Sequence, residues 1–412
     1  MKGLKIKIQA LLLCGVLITG LFSSCASDEN IDNGNKVNAG DKVLTLTLNT
    51  PKATTSGAKT RATNMTANST EDQINRLTIG IFDAAGTTVR TIQELSPNAT
   101  PGTTGTFNTA SGTSTATLVT NSLASNDQVL VAVNAPSGTF NGCASVTDFE
   151  GKAITIDVAL ATPQSGTVGA AEATDNIPMY GKGTITAPVS PATTYTSSLA
   201  VQHQLAKITL NSLAVAFDQN GPYKTATFQP TSFFLINVPS DLAFSTAAWP
   251  TTAPTSFFHG WAASTSTTDL KAYLGTGIFS TAYSALKYSA LVNENSIQPN
   301  SILYTMPNNN VTNNNTKLVI GGEFSSDGHS AATTVYYPVN INWKYDATSK
   351  TSGPAEASTT TKAVYPNRNY QCDITIKTKG APSPTTSIDP EDVTVTVTVS
   401  AFKPVSQGTI FE

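Results

Sequence analysis

The sequence is short of histidine, cysteine and charge, and each shortage argues against a class of function. It has three histidines, none of which stands at metal-ligand spacing from another or beside a cysteine. Charged residues make up 12% of the chain and the formal net charge is −3, so no strong field attracts nucleic acid or anionic lipid. The motifs of serine hydrolases, zinc proteases and phosphate-binding loops are missing as well. We therefore expect no enzyme activity, no metal and no cofactor.

Threonine is the residue that the chain has in excess. About 65 of the 412 residues are threonine, whose β-branched side chain favours strands. The chain also has 28 glycines and 22 prolines for turns, and its 39% of apolar residues suffices for packed cores. This composition predicts an all-β protein, and the length suggests two or three domains.

Apolar and polar residues alternate in many short segments, which is the pattern of half-buried strands. The first such segment is 42–49, where Leu44, Leu46 and Leu48 alternate with threonine. Many short strands without a long amphipathic helix predict two β-sandwiches in tandem. A Pro/Thr/Ser-rich segment ends near residue 198. We therefore place the two domains at residues 62–198 and 199–412.

The N-terminus carries the pattern of an export signal. Three lysines precede an apolar run at 8–22, which is too short to span a membrane comfortably and typical of a signal peptide. Ser23 and Ser24 then precede Cys25, an arrangement that resembles the bacterial lipobox, in which the cysteine is acylated. We expect residues 1–24 to be removed and Cys25 to be lipidated. That lipid is then the expected membrane anchor, at the outer membrane and cell surface.

Two other segments stand out between and after the predicted strands. Residues 50–70 are polar, and Arg61, which precedes Ala62, is the only arginine among them. Near the C-terminus, a valine–threonine alternation follows a Pro-rich linker, and apolar residues resume beyond it. The apolar positions are Val393, Val395, Val397, Val399, Phe402, Val405, Ile410 and Phe411. This strand either completes the second sandwich or leaves it, and Arg61 is either a plain loop residue or a processing site.

The remaining cysteines and the tryptophans leave alternatives open. Cys143 and Cys372 fit small buried apolar positions, and the sequence does not decide whether they pair. The three tryptophans either fill cores or form the floor of a sugar site; they are Trp249, Trp261 and Trp343.

A set of short motifs in fixed order resembles the fimbrillin family, the type V pilins of Gram-negative anaerobes related to Bacteroides. The motifs span nearly the whole chain. They are the lipobox at Cys25, Thr60-Arg61-Ala62, Asn75-Arg76-Leu77 running into 79–82, 131–135, 177–181, Leu205-Ala206-Lys207-Ile208, 365–370 running into 374–379, and 395–411. His203 and Phe402 depart from the family pattern, which has Arg and Trp near those places.

The resemblance implies a fold and an assembly mechanism. The sandwiches are expected to be Greek-key and transthyretin-like, with an N-terminal propeptide strand and a C-terminal donor strand at about residues 393–411. An arginine-specific surface protease is expected to cut between Arg61 and Ala62 and so to remove the propeptide, residues 25–61, with its lipid and strand. The groove left by that strand then accepts the donor strand of a neighbouring copy.

The function that this resemblance implies is that of a stalk subunit in a fimbria that supports adhesion and biofilm. The expected partners are further copies of the chain, tip and anchor pilins, the protease, and a host or bacterial surface ligand. The alternatives are a tip or anchor pilin, and a surface lipoprotein that binds glycan without polymerising.

Overall fold

The computed structural model describes most of the chain between Asp41 and Ala401. The ranges described are 41–49, 71–96, 105–110, 113–155, 176–246, 248, 256–259, 277–278, 284–289, 292–310, 314–346, 348–356, 361–389 and 392–401. Nearly all regular structure in these ranges is β-strand, arranged in several sheets. The predicted all-β class is therefore confirmed.

The first two large sheets are built from residues 42–203. One has the strand order β4-β5-β1-β9 and the other β10-β8-β6-β2-β3. Their elements are β1 (Lys42–Asn49), β2 (Leu77–Phe82), β3 (Val89–Leu95), β4 (Gly105–Ala110), β5 (Thr113–Thr120), β6 (Gln128–Val133), α1 (Val146–Glu150), β7 (Ala153–Thr155), β8 (Met179–Thr184), β9 (Tyr195–Ala200) and β10 (Gln202–His203).

The other two large sheets are built from residues 206–401. Their strand orders are β18-β11-β24-β25, with β19 also on β11, and β16-β12-β20-β21, with β17 also on β12. The elements are β11 (Ala206–Val215), β12 (Thr227–Ile236), β13 (Val238–Pro239), β14 (Asp241–Ala243), β15 (Phe257–Phe258), β16 (Gly277–Ile278), β17 (Leu286–Lys287), α2 (Val292–Asn295), β18 (Ser296–Ile297), β19 (Ser301–Thr305), β20 (Lys317–Ser325), β21 (Thr333–Asn340), β22 (Trp343–Asp346), β23 (Thr351–Pro354), β24 (Arg368–Ile376) and β25 (Val393–Ala401).

Each pair of sheets encloses an apolar core. In the first pair, leucines of β1, β5 and β9 pack against the alternating aliphatic residues of β2 and β6. In the second pair, β11, β24 and β25 face β12, β20 and β21. The predicted boundary at 198/199 remains a prediction, and strand pairing with the first two sheets continues to His203.

The two halves share buried surface. The second face of β2 and β6 is also buried, because it packs into the same apolar cluster as the second sandwich. Phe140 stacks on Phe149 of α1 at 3.9 Å and meets Phe244 edge-on at 5.4 Å. In addition, β7 pairs with β14 across the junction. The chain therefore joins its two sandwiches through a packed interface in addition to the connecting strand.

Candidate functional site

Strand β1 occupies an inner position of the first sheet. It runs antiparallel to β5 over all eight of its residues and parallel to β9 over six. Because both flanks are paired, β1 closes a sheet that would otherwise be split between β5 and β9. We call the space that it fills, between β5 and β9, the β1 slot.

The leucines of β1 point into the first core. Leu44, Leu46 and Leu48 are each 0% exposed, whereas Thr45 and Thr47 lie on the half-exposed outer face. The alternation of buried and outward side chains that the sequence predicts for β1 is therefore present in the structure. Beneath the leucines lies a floor formed by alternating aliphatic residues, namely Leu77, Ile79, Ile81, Val129, Val131 and Val133.

Polar contacts fix both ends of β1. The ammonium of Lys42 donates to the carbonyl of Leu123 at 2.7 Å and lies 5.4 Å from the ring centroid of Tyr195. At the other end, the amide N–H of Val201 donates to the carbonyl of Asn49 at 3.1 Å. The register of β1 is thus set by its ends as well as by its leucines.

The wall of the slot on the β9 side depends on a close approach between two sheets. A Cβ atom at Gly181 of β8 would lie 2.6 Å from both the carbonyl oxygen of Ala200 and the Cδ1 atom of Leu199. Only glycine lets β8 pass this close to β9. This gives a packing role to the glycine of the 177–181 motif.

The C-terminal strand β25 is the last strand of its sheet. It pairs antiparallel with β24 on one side, and its other flank is not paired with any strand that the structure describes. Val393, Val395 and Val397 are 4%, 7% and 6% exposed, so they form part of the second core, and Val399 packs against it. The structure therefore places this strand on its own sandwich.

β1 and β25 share an alternation of period two, over Leu44–Leu48 in β1 and Val393–Val399 in β25. Each alternates an aliphatic residue on the buried face with threonine on the open face. The buried residues are leucine in β1 and valine in β25. Several predicted site residues lie outside the described ranges: Cys25, Arg61, Ala62, Phe402, Val405, Ile410 and Phe411, as do Trp249 and Trp261.

The cysteines and histidines in the described ranges have structural surroundings. Cys143 and Cys372 are free and buried, and burial raises the pKa of both thiols, that of Cys372 to about 12. No cluster of three potential metal ligands occurs among the residues that the structure describes. Within those residues there is also no helix long and apolar enough to cross a membrane.

Sequence reasoning missed a buried polar cluster at the junction of the two halves. Glu71, the first residue described after the linker 50–70, accepts hydrogen bonds from Lys207 of β11 at 2.7 Å and from the hydroxyl of Tyr304 of β19. His203 lies 3.1 Å from the carbonyl of Glu71 and 3.2 Å from the carboxylate of Asp72. These five residues, the Glu71 cluster, attach the start of the chain after the linker to the second sandwich.

Breaking this ion pair is expected to cost much of the stability of the fold. Glu71 and Lys207 are almost fully buried, so Lys207→Met leaves a carboxylate in the interior without its cation. We expect the free energy of unfolding to fall by about 3–5 kcal/mol, measured by urea denaturation. Lys182→Met, which breaks the exposed Lys182–Glu150 pair, is the control and should cost about 1 kcal/mol or less. Equal losses in both variants would contradict a desolvated Glu71 pair.

Comparison with known proteins finds one matching protein family. The sequence profile of the major fimbrial subunit protein (FimA) family matches residues 43–216. That range starts within β1 and ends just after β11, so it includes the β1 slot and the first sandwich. No curated protein matches this chain in sequence.

Several solved structures share the fold at low sequence identity. A proposed cell adhesion protein from Bacteroides eggerthii is 16% identical, covers 90% of this chain and 100% of its own, and has a TM-score of 0.52. Two proposed cell adhesion proteins from Parabacteroides distasonis are 14% and 13% identical, with TM-scores of 0.55 and 0.53. Each of the two matches covers 88% of this chain. The first covers 99% of the Parabacteroides protein and the second covers 98%. The family match over 43–216 supports the fimbrillin family that the sequence motifs predicted and the role of a structural fimbrial subunit, and the solved structures add that the fold is shared.

Proposed function

We propose that the chain is the stalk subunit of a type V fimbria that assembles by strand exchange at the β1 slot. In this proposal it is exported as a lipoprotein through Cys25 and cut after Arg61 by an arginine-specific protease. The observation that carries the proposal is the inner position of β1, which directly precedes the linker with Arg61. Release of that one strand opens a complete slot in the first sandwich.

An open slot is unstable by itself. Without β1, the facing edges of β5 and β9 have unpaired backbone groups, and the aliphatic floor beneath the three leucines is exposed to water. Each unpaired backbone group and each exposed apolar side chain favours the entry of a new strand. A strand that replaces β1 needs aliphatic residues at alternate positions, because its other face is turned outward.

β25 of a neighbouring copy meets this requirement and gains backbone pairing by moving. On its own sandwich it pairs with β24 alone, whereas in the slot it pairs with β5 and with β9. Of the strand edges that the exchange changes, three are open before it: the edges of β5 and β9 that face the slot, and the outer edge of β25. After exchange one is left, that of β24, so the transfer reduces the number of unpaired edges.

The side chains explain why the cut comes first. Four valines buried in the slot contribute roughly 6 kcal/mol before ordering costs. Three of these valines take the places of Leu44, Leu46 and Leu48, and each is one methylene smaller than the leucine that it replaces, worth about 0.8 kcal/mol in burial. The leucines of β1 therefore fill the slot better than valines do, and β1 is covalently attached. Exchange is expected only after β1 has been cut from the chain.

Each copy then offers a slot at one end and a strand at the other. Such a head-to-tail contact does not close on itself, so it propagates as a filament. Tip and anchor pilins are the expected partners at the two ends of the filament.

A synthetic peptide of residues 42–49 tests the slot directly. Added in excess to cut protein, it is expected to refill the slot and stop filament growth, seen as loss of the high-mass ladder on a mild gel. The control is the same peptide with Leu46→Asp, which would bury a carboxylate among aliphatic side chains and should not enter. If both peptides leave growth unchanged, strand exchange at this slot is wrong.

A further inference from the structure

A two-stranded hairpin lies beside the C-terminal strand β25. It consists of β22 and β23, which pair antiparallel with each other and belong to neither large sheet of the second sandwich. β22 follows β21, the edge strand of one sheet, after two residues, and runs beside β25, the edge strand of the other. The hairpin therefore crosses the side of the sandwich where these two sheet edges approach each other.

The side chains of β22 alternate between β25 and solvent. Trp343 and Tyr345 are half-buried, whereas the two charged residues of this strand are exposed. Both aromatic side chains line a small cavity together with Val393 and Val395 of β25. About 50 Å³ is free in that cavity, so the aromatic face of the hairpin rests close to the start of β25.

Hydrogen bonds and an ion pair fix the base of the hairpin. The side chain of Asn342, which is 0% exposed, donates to the carbonyl of Ala363 at 2.8 Å and accepts from the amide of Glu356 at 3.0 Å. The carboxylate of Glu356 accepts a hydrogen bond from the guanidinium of Arg368, on β24, at 3.0 Å. Arg368 is opposite Ala401 in the strand register. The base is thus tied to β24, the strand on which β25 lies.

The remainder of the hairpin is held less firmly than its base. Thr351 and Ser352 of β23 are exposed, as are the described residues of the turn before them. Trp343 has a cation–π contact with Lys362, whose ammonium lies 5.2 Å from the ring centroid, and such contacts are weak where water reaches them. Few buried apolar contacts and exposed backbone are features of segments that open locally. A hairpin with a fixed base and an exposed tip can lift without unfolding the sandwich.

β25 is a strand that needs a restraint of this kind. It has a backbone partner on one flank only among the residues that the structure describes, and its buried residues alternate with polar ones. An edge strand with this pattern pairs readily with other chains. Coverage by a neighbouring segment is one way in which proteins prevent such pairing.

We propose that the β22–β23 hairpin is a latch that holds β25 on its own sheet in the monomer. The side chains of Trp343 and Tyr345 restrain the first half of β25, and the hairpin lifts about its fixed base before the strand leaves. The clause that this latch controls strand donation rests on the proposed function. The restraint on β25 itself is a property of the monomer.

Hydrogen exchange of the uncut monomer measures this restraint. Trp343→Ala and Tyr345→Ala are each expected to speed the exchange of β25 amides about tenfold or more, because exchange follows local opening. Amides of β12 and β20, in the facing sheet, should keep their rates. Tyr288→Ala is the matched control, since it removes an aromatic side chain that is 50% exposed elsewhere on the same sandwich, and it should leave both sets of rates unchanged.

Each result decides for or against the latch. Unchanged β25 exchange in both aromatic variants would overturn it. An equal increase at β12 and β20 would also overturn it, because the hairpin would then stabilise the whole sandwich. In the uncut protein β1 fills its slot, so neither result depends on exchange between copies. After cutting, the two variants should form filaments severalfold faster; faster β25 opening with no filament from any chain would contradict strand exchange and leave the latch standing.

Discussion

A chain with Arg61→Ala is expected to remain at precursor length and to form no filament. Arg61 is the only arginine in the polar linker between β1 and Glu71, so its loss removes the cutting site of an arginine-specific protease. Without the cut, β1 stays tethered to its own slot, where the effective concentration of a linked strand exceeds that of any neighbour's. We therefore expect complete loss of polymer, which is the largest effect that the proposed function predicts.

The measurement is N-terminal sequencing of protein sheared from the cell surface, together with a mild gel. The unaltered chain is expected to start at Ala62, to have 412 − 61 = 351 residues and to form a ladder. Lys59→Ala removes a positive charge two residues away and is the matched control; it should be cut and polymerise normally. A start at acylated Cys25 with monomer alone, in the unaltered chain, would instead indicate a fixed lipoprotein or an anchor pilin.

The sequence predicted the parts of the fold that depend on short-range alternation. The boundaries of β1 were predicted to the residue, because Leu44, Leu46 and Leu48 alternate strictly with threonine. The sequence of 145–152 also predicts one or two helical turns, and the structure has α1 there, which begins with a reciprocal capping box between Ser145 and Asp148. Where the local pattern is complete, no information from the rest of the chain is needed.

The pairing of strands that are distant in sequence could not be predicted from the sequence. The sequence of 199–217 by itself predicts one long strand, but the structure divides this segment among the end of β9, β10 and β11. Its apolar residues recur from one end to the other because the first sandwich and then the second bury them, so periodicity does not show where the hydrogen-bonding partner changes. Likewise the Ser/Thr/Ala-rich composition of 346–361 predicts a loop, yet this segment contains β23.

The Glu71 cluster could not be found from sequence for the same reason. Glu71 and Lys207 are 136 residues apart, and an isolated acidic residue after a polar linker is indistinguishable from a solvated one. Its burial follows from the way in which β11 and β19 meet the first sandwich. Only the assembled fold shows that contact.

The burial of β25 affects how its donation can be tested. Val395→Asp or Val397→Asp would put a carboxylate into the second core as well as into a neighbour's slot. Loss of polymer in such a variant would not distinguish failed donation from failed folding. A probe that reports the departure of β25 without altering its sequence is better.

Cys372 is such a probe. It lies on β24 directly opposite Val397, is 0% exposed, and has a pKa raised by burial to about 12. After cutting at Arg61 the chain keeps two cysteines, Cys143 and Cys372. Cys143 packs on the far side of the first core from β1, so it should stay buried whichever strand moves.

In filaments we expect Cys372 to react with a thiol reagent at pH 8 at least a hundredfold faster than in monomers, because the thiolate is the reactive form. Once β25 has left, the pKa should fall towards its ordinary value of about 8.5, which raises the thiolate fraction by about a thousandfold or more at that pH. Cys143→Ala and Cys372→Ala assign the two rates, and Cys143 should react equally slowly in both states. If Cys372 is as protected in filaments as in monomers, β25 remains on β24, and a donated strand has to come from the residues after Ala401.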